Sequence, residues 1–404
     1  MNTEKLISTA GRYLNIFCRE IGERSVGTDG NRKATDFFEK EISSFGWETE
    51  LQEFQAMDWE EGGATLFAES KSFDILVSPY STGIKATAVL TAASTISELE
   101  SLDAKDKIIL LHGEIAREQL MPKNFVFYNP EHHQKTISLL ENSCVRAIIA
   151  ATGRNASLAG GVYPFPLIED GDFNVPSVYM TEEEGFTLLP YVGKEVKLES
   201  VSKRIMGNGC NVIARKGGNT SARIVVTAHI DAKKGTPGAI DNATGVVILL
   251  LLAELLKDYA GDKQIEIVAF NGEDYYAVPG QMLYIAENQG TFDDILLNIN
   301  IDGAGYKEDG SVFSLFGLPD NISEKANLVM NAFPDVSEGV QWPQGDHSIF
   351  VQFGRPAIAV SSQWFINNID DQDITHTPKD NVDIVDIKKL PTIAKAIKRL
   401  IEDI

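Results

Sequence analysis

Several segments of the chain end in side chains suited to acid–base or metal chemistry. RIVVTAHIDA ends in His229 and Asp231, EIVAFNGED in Glu273 and Asp274, and LNINIDGAG carries Asp302. The loop GTPGAIDNATG contributes Asp241 just before a helical pattern, and ITHTPKDNVD places His376 on a loop near the C-terminus. Two imidazoles with three carboxylates suit zinc, which takes nitrogen and oxygen ligands and keeps a position open for catalysis. A pair of ions about 3.5–4 Å apart would share one carboxylate; spacing alone leaves open which acid that is. Each residue also has an ordinary reading. Asp241 could cap the helix that follows it, His229 could be a hydrogen-bonded core histidine, Asp302-Gly303 a turn, and Glu273-Asp274 a solvated strand end. Those readings fail together, because nothing structural requires all of them at one place.

The elements around these residues explain why they converge. Residues 206–404 alternate strand and helix. NVIARK, RIVVTAHI, QIEIVAF, ILLNINID, SVFSLFG and PAIAVS read as strands, several of them apolar throughout, as expected of a sheet covered on both faces. Asn242–Tyr259, Ala277–Asn288, Glu324–Asn331 and Ile387–Ile404 read as helices, with Val246–Leu252 as one face of a buried helix. In open α/β sheets, ligands bind beyond the carboxyl ends of the strands. Residues 1–55 read as helix, loop, helix and strand, with Leu6, Tyr13, Leu14 and Phe17 at helical spacing and WETELQEF alternating. Residues 56–205 differ. ATLFA, FDILVSP, TAVLTA, KIILLHG, RAIIAA and SVYM are short strand candidates around a helix near His132–Leu140, which predicts a β-rich domain of its own. No cluster of metal-binding or nucleophilic residues is expected there, although His112, His132 and His133 fall within it. The expected fold is a mixed, mostly parallel α/β sheet sandwiched by helices, formed by 1–55 and 206–404, with 56–205 inserted.

Composition narrows the function classes. The chain has 404 residues and a formal net charge of −22. That charge argues against nucleic acid, whose phosphates need a basic surface, and against anionic membranes. No run of about 18 apolar residues predicts a membrane span. The N-terminus MNTEKLISTAGRYLNIFC lacks the apolar core of a signal peptide. Cys18, Cys144 and Cys210 are odd in number and far apart, which predicts free thiols. These features together predict a cytoplasmic protein; a homo-oligomer is left open.

The motifs resemble those of the di-zinc exopeptidases of peptidase family M28. The resemblance rests on AHIDAKKGTPGAIDNATG, AFNGED followed by PGQMLY, NIDGAG, GDHSIF and THTPKDNVD, in family order and spacing. The early segment RSVGTDGNRKATDFFEKEISSFGWETELQEF resembles the family's start. The middle zone resembles the inserted protease-associated domain of many members, most clearly in KDKIILLHGE and VRAIIAA.

The resemblance implies two zinc ions, with cobalt or manganese as alternatives. His229 and Asp302 would hold one, Asp274 and His376 the other, with Asp241 bridging. Asp231 would orient the ligands from behind. Glu273 would act as general base and then return its proton to the leaving amine. The implied activity is that of an aminopeptidase on peptides with a free N-terminus. The rivals are a glutaminyl-cyclase-like aminoacyltransferase, a carboxypeptidase and a metal-free binding protein. Two positions depart from the family pattern: 274 is Asp where many members have Glu, and 375 is Thr where several have a Tyr that steadies the tetrahedral intermediate. Tyr275, Tyr276, Tyr306 and Trp364 are the candidates to replace it. No arginine cluster is evident for a C-terminal carboxylate, and Arg355 is the only arginine near the late motifs.

Overall fold

The computed structural model describes residues 2–152, 166–369 and 372–404. The chain divides into two compact units, one formed by Met1–Ala56 with Gly207–Ile404 and the other by Met57–Met206.

The first unit is built on a mixed, mostly parallel sheet. Its strands run in the order Val336–Gly339, Ser311–Phe316, Ala357–Ser362, Ile295–Ile301, Arg223–His229 and Gln264–Phe270, followed by residues 212–216 of the strand Glu195–Lys216. The four strands from Ala357–Ser362 to Gln264–Phe270 are parallel. Ser311–Phe316 and residues 212–216 flank those four antiparallel.

The pleat sorts these strands into two faces. Ile224, Val226 and Ala228 face one side with Ile265, Ile267, Ala269, Leu297, Ile299 and Ile301, and join the main apolar core. Burying each such Leu or Ile contributes about 1.5–3 kcal/mol. The alternate residues carry polar groups: Thr227 Oγ donates to Asn300 Oδ1 at 2.7 Å, and Asn298 Nδ2 donates to Thr227 Oγ at 3.2 Å. His229 and Asp302 continue that second series.

The helix Thr244–Leu255 packs on the first face. Every residue from Thr244 to Ala253 is buried, so it is enclosed on all sides rather than along the single face that the pattern predicts. The helices Thr3–Asn15, Asp29–Ser44 and Lys389–Asp403 all pack against it. Lys389–Asp403 is amphipathic and buries Leu390, Ile393, Ala394, Ile397, Leu400 and Ile401. Thr28 starts Asp29–Ser44 by accepting from the Asn31 N–H at 3.1 Å.

The second unit is less β-dominated than its sequence predicts. Four strands, Ile84–Ala93, Ile108–Leu111, Ala147–Thr152 and Ser177–Thr181, are parallel neighbours. Residues 195–200 and the strand Leu76–Val77 flank them antiparallel. The helices Ile96–Ser101, Glu131–Asn142 and Glu182–Leu188 complete an α/β arrangement. Alternation again splits the apolar residues between two clusters, with Ile108 and Leu110 in one and Ile109 and Leu111 in the other.

Two strands are much longer than their apolar patterns. ATLFA continues WETELQEF in one strand, Glu48–Ala68, and NVIARK ends another, Glu195–Lys216. The polar, glycine-containing stretches DWEEGG and SKRIMGNG hide this continuity, and pairing of the two strands with each other supplies the missing order.

Candidate metal centre

Three of the site segments are strand ends, and the parallel registers bring them to one rim. His229 lies beside Phe270, and Ile301 beside Val360. Glu273-Asp274 and Asp302 follow directly, at the carboxyl end of the sheet.

The other two segments are loops, drawn in by hydrogen bonds. The Asp380 carboxylate accepts from the Ile240 N–H at 2.8 Å and the Asp241 N–H at 3.1 Å. Thr236 Oγ donates to the Thr377 carbonyl at 3.0 Å. These bonds tie the His376 loop to the Asp241 loop. Asn242 Nδ2 then donates to the Ile301 carbonyl at 2.7 Å, anchoring the Asp241 loop at the strand end that carries Asp302. His376 itself has a left-handed backbone, with φ of 61°.

The resulting contacts form two sets joined by one carboxylate. Asp241 Oδ1 lies 3.1 Å from His229 Nε2, and Asp241 Oδ2 lies 3.2 Å from His376 Nε2. Asp302 Oδ1 is 3.6 Å from His229 Nε2, and Asp274 Oδ1 is 2.9 Å from His376 Nε2. His229, Asp231, Asp241, Asp274 and Asp302 are buried, while His376 and Glu273 are partly exposed.

Two observations test whether this set could hold cations. His229 Nε2 and Asp274 Oδ2 are buried without a hydrogen-bond partner, although carboxylate oxygens stand close to the first. His229 Nδ1 also lies 3.2 Å from the Asp231 carbonyl, an acceptor that fixes the proton on Nδ1 and leaves the Nε2 lone pair facing the acids. A histidine that donates from one nitrogen and offers the other is the form in which imidazole binds metal. The residues therefore fit divalent metal bound through nitrogen and oxygen donors.

Electrostatics point the same way. Burial depresses His229, but the neighbouring carboxylates of Asp231, Asp241 and Asp302 outweigh it and raise the pKa well above the usual value. Burial likewise opposes, and Asp274 and Asp241 reverse, the shift of His376, which is pushed up to about 10. Burial raises Asp241, but the two histidines more than offset this and lower it. Glu273 is raised well above the ordinary value by lost hydration; His229 counters this, and Asp274, Asp302 and Asp346 add to it. The surrounding carboxylates thus favour positive charge at both imidazoles.

Asp231 contributes from behind. Its two carboxylate oxygens accept from the Gly272 N–H at 2.8 Å and the Asp274 N–H at 3.0 Å, which clamps the backbone on both sides of Glu273.

Sequence reading missed two buried acids, Asp380 and Asp346. Both lie inside quoted motifs, THTPKDNVD and GDHSIF, yet nothing local separates them from loop aspartates. Asp346 Oδ1 accepts from Gln281 Nε2 at 2.9 Å, and its Oδ2 is buried without a partner. Burial pushes each of these two acids up to about 7. The candidates for the missing tyrosine are placed but not distinguished. Tyr275 and Tyr276 follow Asp274 with rings 4.5 Å apart, and the Tyr306 ring lies 4.3 Å from that of Trp364, tilted by 31°. Thr375 is buried and held by Gln372. Arg355 donates to the Ile295 carbonyl at 2.9 Å, at the opposite end of the strand from Asp302.

The expectation that the inserted zone lacks a metal-type cluster needs correction. Glu118, His132 and His133 come together, with both histidine Nε2 atoms 3.2 Å from Glu118 Oε1. However, His133 Nδ1 accepts from the Met121 N–H at 3.1 Å, so the neutral ring carries its proton on Nε2, where a metal would bind. Geometry there favours hydrogen bonding to Glu118 over ligation.

Comparison with known proteins follows the same outline. Residues 211–401 match the family model described as Peptidase family M28. Aminopeptidase YwaD of Bacillus subtilis is 22% identical over 236 residues, covering 56% of this chain and 50% of that protein. The chain spans about half to two thirds of the length of such curated relatives. The aminopeptidase from Aneurinibacillus sp. strain AM-1 superposes with a TM-score of 0.75 at 20% identity, covering 99% of this chain and 93% of that one. The zinc aminopeptidase BSAP from Bacillus subtilis superposes with a TM-score of 0.75 at 19% identity, covering 98% and 94%. Those likenesses establish the shared fold. The matched segment contains His229, Asp231, Asp241, Glu273, Asp274, Asp302 and His376, and over residues 211–401 the chain is similar to peptidase family M28.

Proposed function

We propose that the protein is an aminopeptidase that holds two zinc ions and removes residues from peptides with a free N-terminus. The observation that carries this reading is the Asp241 carboxylate, which offers one oxygen toward each histidine, 3.1 Å from His229 and 3.2 Å from His376. In this reading Asp241 bridges, His229 and Asp302 complete one set, and His376 and Asp274 the other. Bound zinc polarises the scissile carbonyl and lowers the pKa of water.

The chain's own residues supply the rest. Glu273 accepts a proton from the attacking water and returns it to the leaving amine. Burial raises its carboxyl above the ordinary value, so it holds a proton more readily than a free carboxylate, which suits a group that must take one up and pass it on. Asp231 keeps Glu273 in place through the clamped backbone and holds His229 in its ligating tautomer. The acidic rim attracts a substrate α-ammonium. Arg355 is engaged at the far end of its strand, which counts against recognition of a C-terminal carboxylate there.

The test pairs elemental analysis of protein purified without chelator with hydrolysis of matched free and N-acetylated peptides. Two zinc per chain and cleavage of the free peptides only is the expected result. Equal turnover of both peptides would overturn the aminopeptidase reading, and ammonia release from N-terminal Gln without cleavage would favour the cyclase. No metal after zinc reconstitution would overturn the centre itself.

A further inference from the structure

Arg24 and Asn31 lie in the early segment RSVGTDGNRKA, about 200 residues or more before the residues of the centre, and both are completely buried. The Arg24 guanidinium donates to four main-chain carbonyls: Pro237 at 2.7 Å, Gly238 at 2.8 Å, Ile230 at 3.1 Å and Phe17 at 3.2 Å. No ion pair to an acidic side chain joins it among the described residues. Ile230 sits between His229 and Asp231, and Gly238 lies just ahead of Asp241. One planar group thus spans two of the segments that meet at the centre. Gly238 has φ of 56°, and a Cβ added there would stand 2.8 Å from Arg24 Nη2 and 2.6 Å from the Asp241 carbonyl, so the loop approaches as closely as backbone permits.

Asn31 reaches the third segment. Its Nδ2 donates to Asn271 Oδ1 at 2.8 Å, and Asn271 Nδ2 donates back to Asn31 Oδ1 at 2.9 Å. Asn271 precedes Gly272-Glu273, and its N–H is held by Asn211 Oδ1 at 3.0 Å. Asn31 Nδ2 also donates to the Arg24 carbonyl at 2.8 Å, which joins the two contacts into one unit.

We propose that Arg24 and Asn31 are positioning residues with separate tasks. Arg24 sets the spacing between the His229 strand end and the Asp241 loop, and so controls metal retention. Asn31 sets the turn that carries Glu273, and so controls rate. The proposal rests on the two-metal reading above. A buried guanidinium is costly unless its donors are satisfied, and carbonyls from separate segments satisfy it only in one arrangement. Lysine cannot copy this, because its single ammonium lacks the planar fork. The reciprocal Asn pair is similarly exclusive: Asp at position 31 keeps an acceptor but turns a second one toward Asn271 Oδ1.

Arg24→Lys and Asn31→Asp separate the tasks. Zinc retention is measured by chelator competition and elemental analysis, thermal unfolding by circular dichroism, and kcat and KM on an aminoacyl substrate in excess zinc. Arg24→Lys is expected to weaken zinc retention about 10–100-fold, the range seen when partners of metal ligands are lost. Asn31→Asp is expected to retain zinc like wild type and to lower kcat about tenfold or more, with KM nearly unchanged. Folded variants with wild-type retention and kcat would overturn the proposal, as would a lowered melting temperature in both with no split between retention and rate. Should Arg24→Lys not fold, Gly238→Ala perturbs the same contact, and unfolding of both would show that Arg24 serves the fold at large and overturn its assigned task. Wild-type protein that retained no zinc would sink the two-metal reading and this proposal with it; active, zinc-loaded wild type with unaffected variants sinks this one alone.

Discussion

Replacing Glu273 by Gln keeps the shape of the side chain and removes its ability to accept a proton. General acid–base catalysis contributes about 10²–10⁴-fold, which is about 2.7–5.5 kcal/mol of activation free energy. That loss should fall on kcat, with KM changing far less, because the residue acts on the transition state. Stability should not suffer. Burial, joined by Asp274, Asp302 and Asp346 and only partly countered by His229, raises the Glu273 pKa, so its ionised form is unfavourable in the fold. A carboxyl raised above its unfolded value adds stability below the unfolded pKa and loses it as pH rises through the folded one. Gln removes that loss, so chelator-treated Glu273→Gln should melt no lower than chelator-treated wild type at pH 8. The assay is zinc content by elemental analysis, melting temperature, and kcat and KM on an aminoacyl chromogenic substrate. Full zinc with kcat within tenfold of wild type would refute the base assignment. Loss of zinc would mean that Glu273 is a ligand; Asp274→Asn should then keep both metal and activity, contrary to the 2.9 Å approach of Asp274 to His376.

Asp241→Ala should lose both ions and His376→Ala mainly one, because Asp241 alone among the described residues reaches both histidines; equal loss by elemental analysis would remove the case for a bridge. Asp231→Asn leaves one of the Gly272 and Asp274 N–H groups facing an amide NH₂, so it should destabilise by about 1–3 kcal/mol in chemical denaturation and lower kcat as well; a variant matching wild type in both would show that the clamp is unimportant. Asp380 is raised to about 7, so chelator-treated protein should be more stable near pH 5 than near pH 8, the difference lying between about 4 and about 7. A melting temperature that rises over that interval would contradict this sign.

The candidate site residues stood out in sequence because covalent geometry already orders them. His229, Glu273-Asp274 and Asp302 each close an apolar run, and parallel strands of similar length end together, so one rim was legible. The period of two then puts His229 in series with Val225 and Thr227, and Asp302 with Asn298 and Asn300, on the face away from the main core. The apolar run Val246–Leu252 announced a buried helix, although its enclosure on all sides was not part of that reading. What sequence could not decide was anything set by hydrogen bonds between distant backbones. The meeting of His376 with Asp241 depends on Asp380, which holds the Ile240 and Asp241 N–H groups, and an aspartate doing so looks in sequence like any loop aspartate. The length of Glu48–Ala68 and Glu195–Lys216 was hidden in the same way, since a ladder of main-chain bonds needs no apolar pattern. Side-chain periodicity is written along the chain, whereas the partners of a buried N–H or carboxylate are chosen only when the folded backbone brings them within reach.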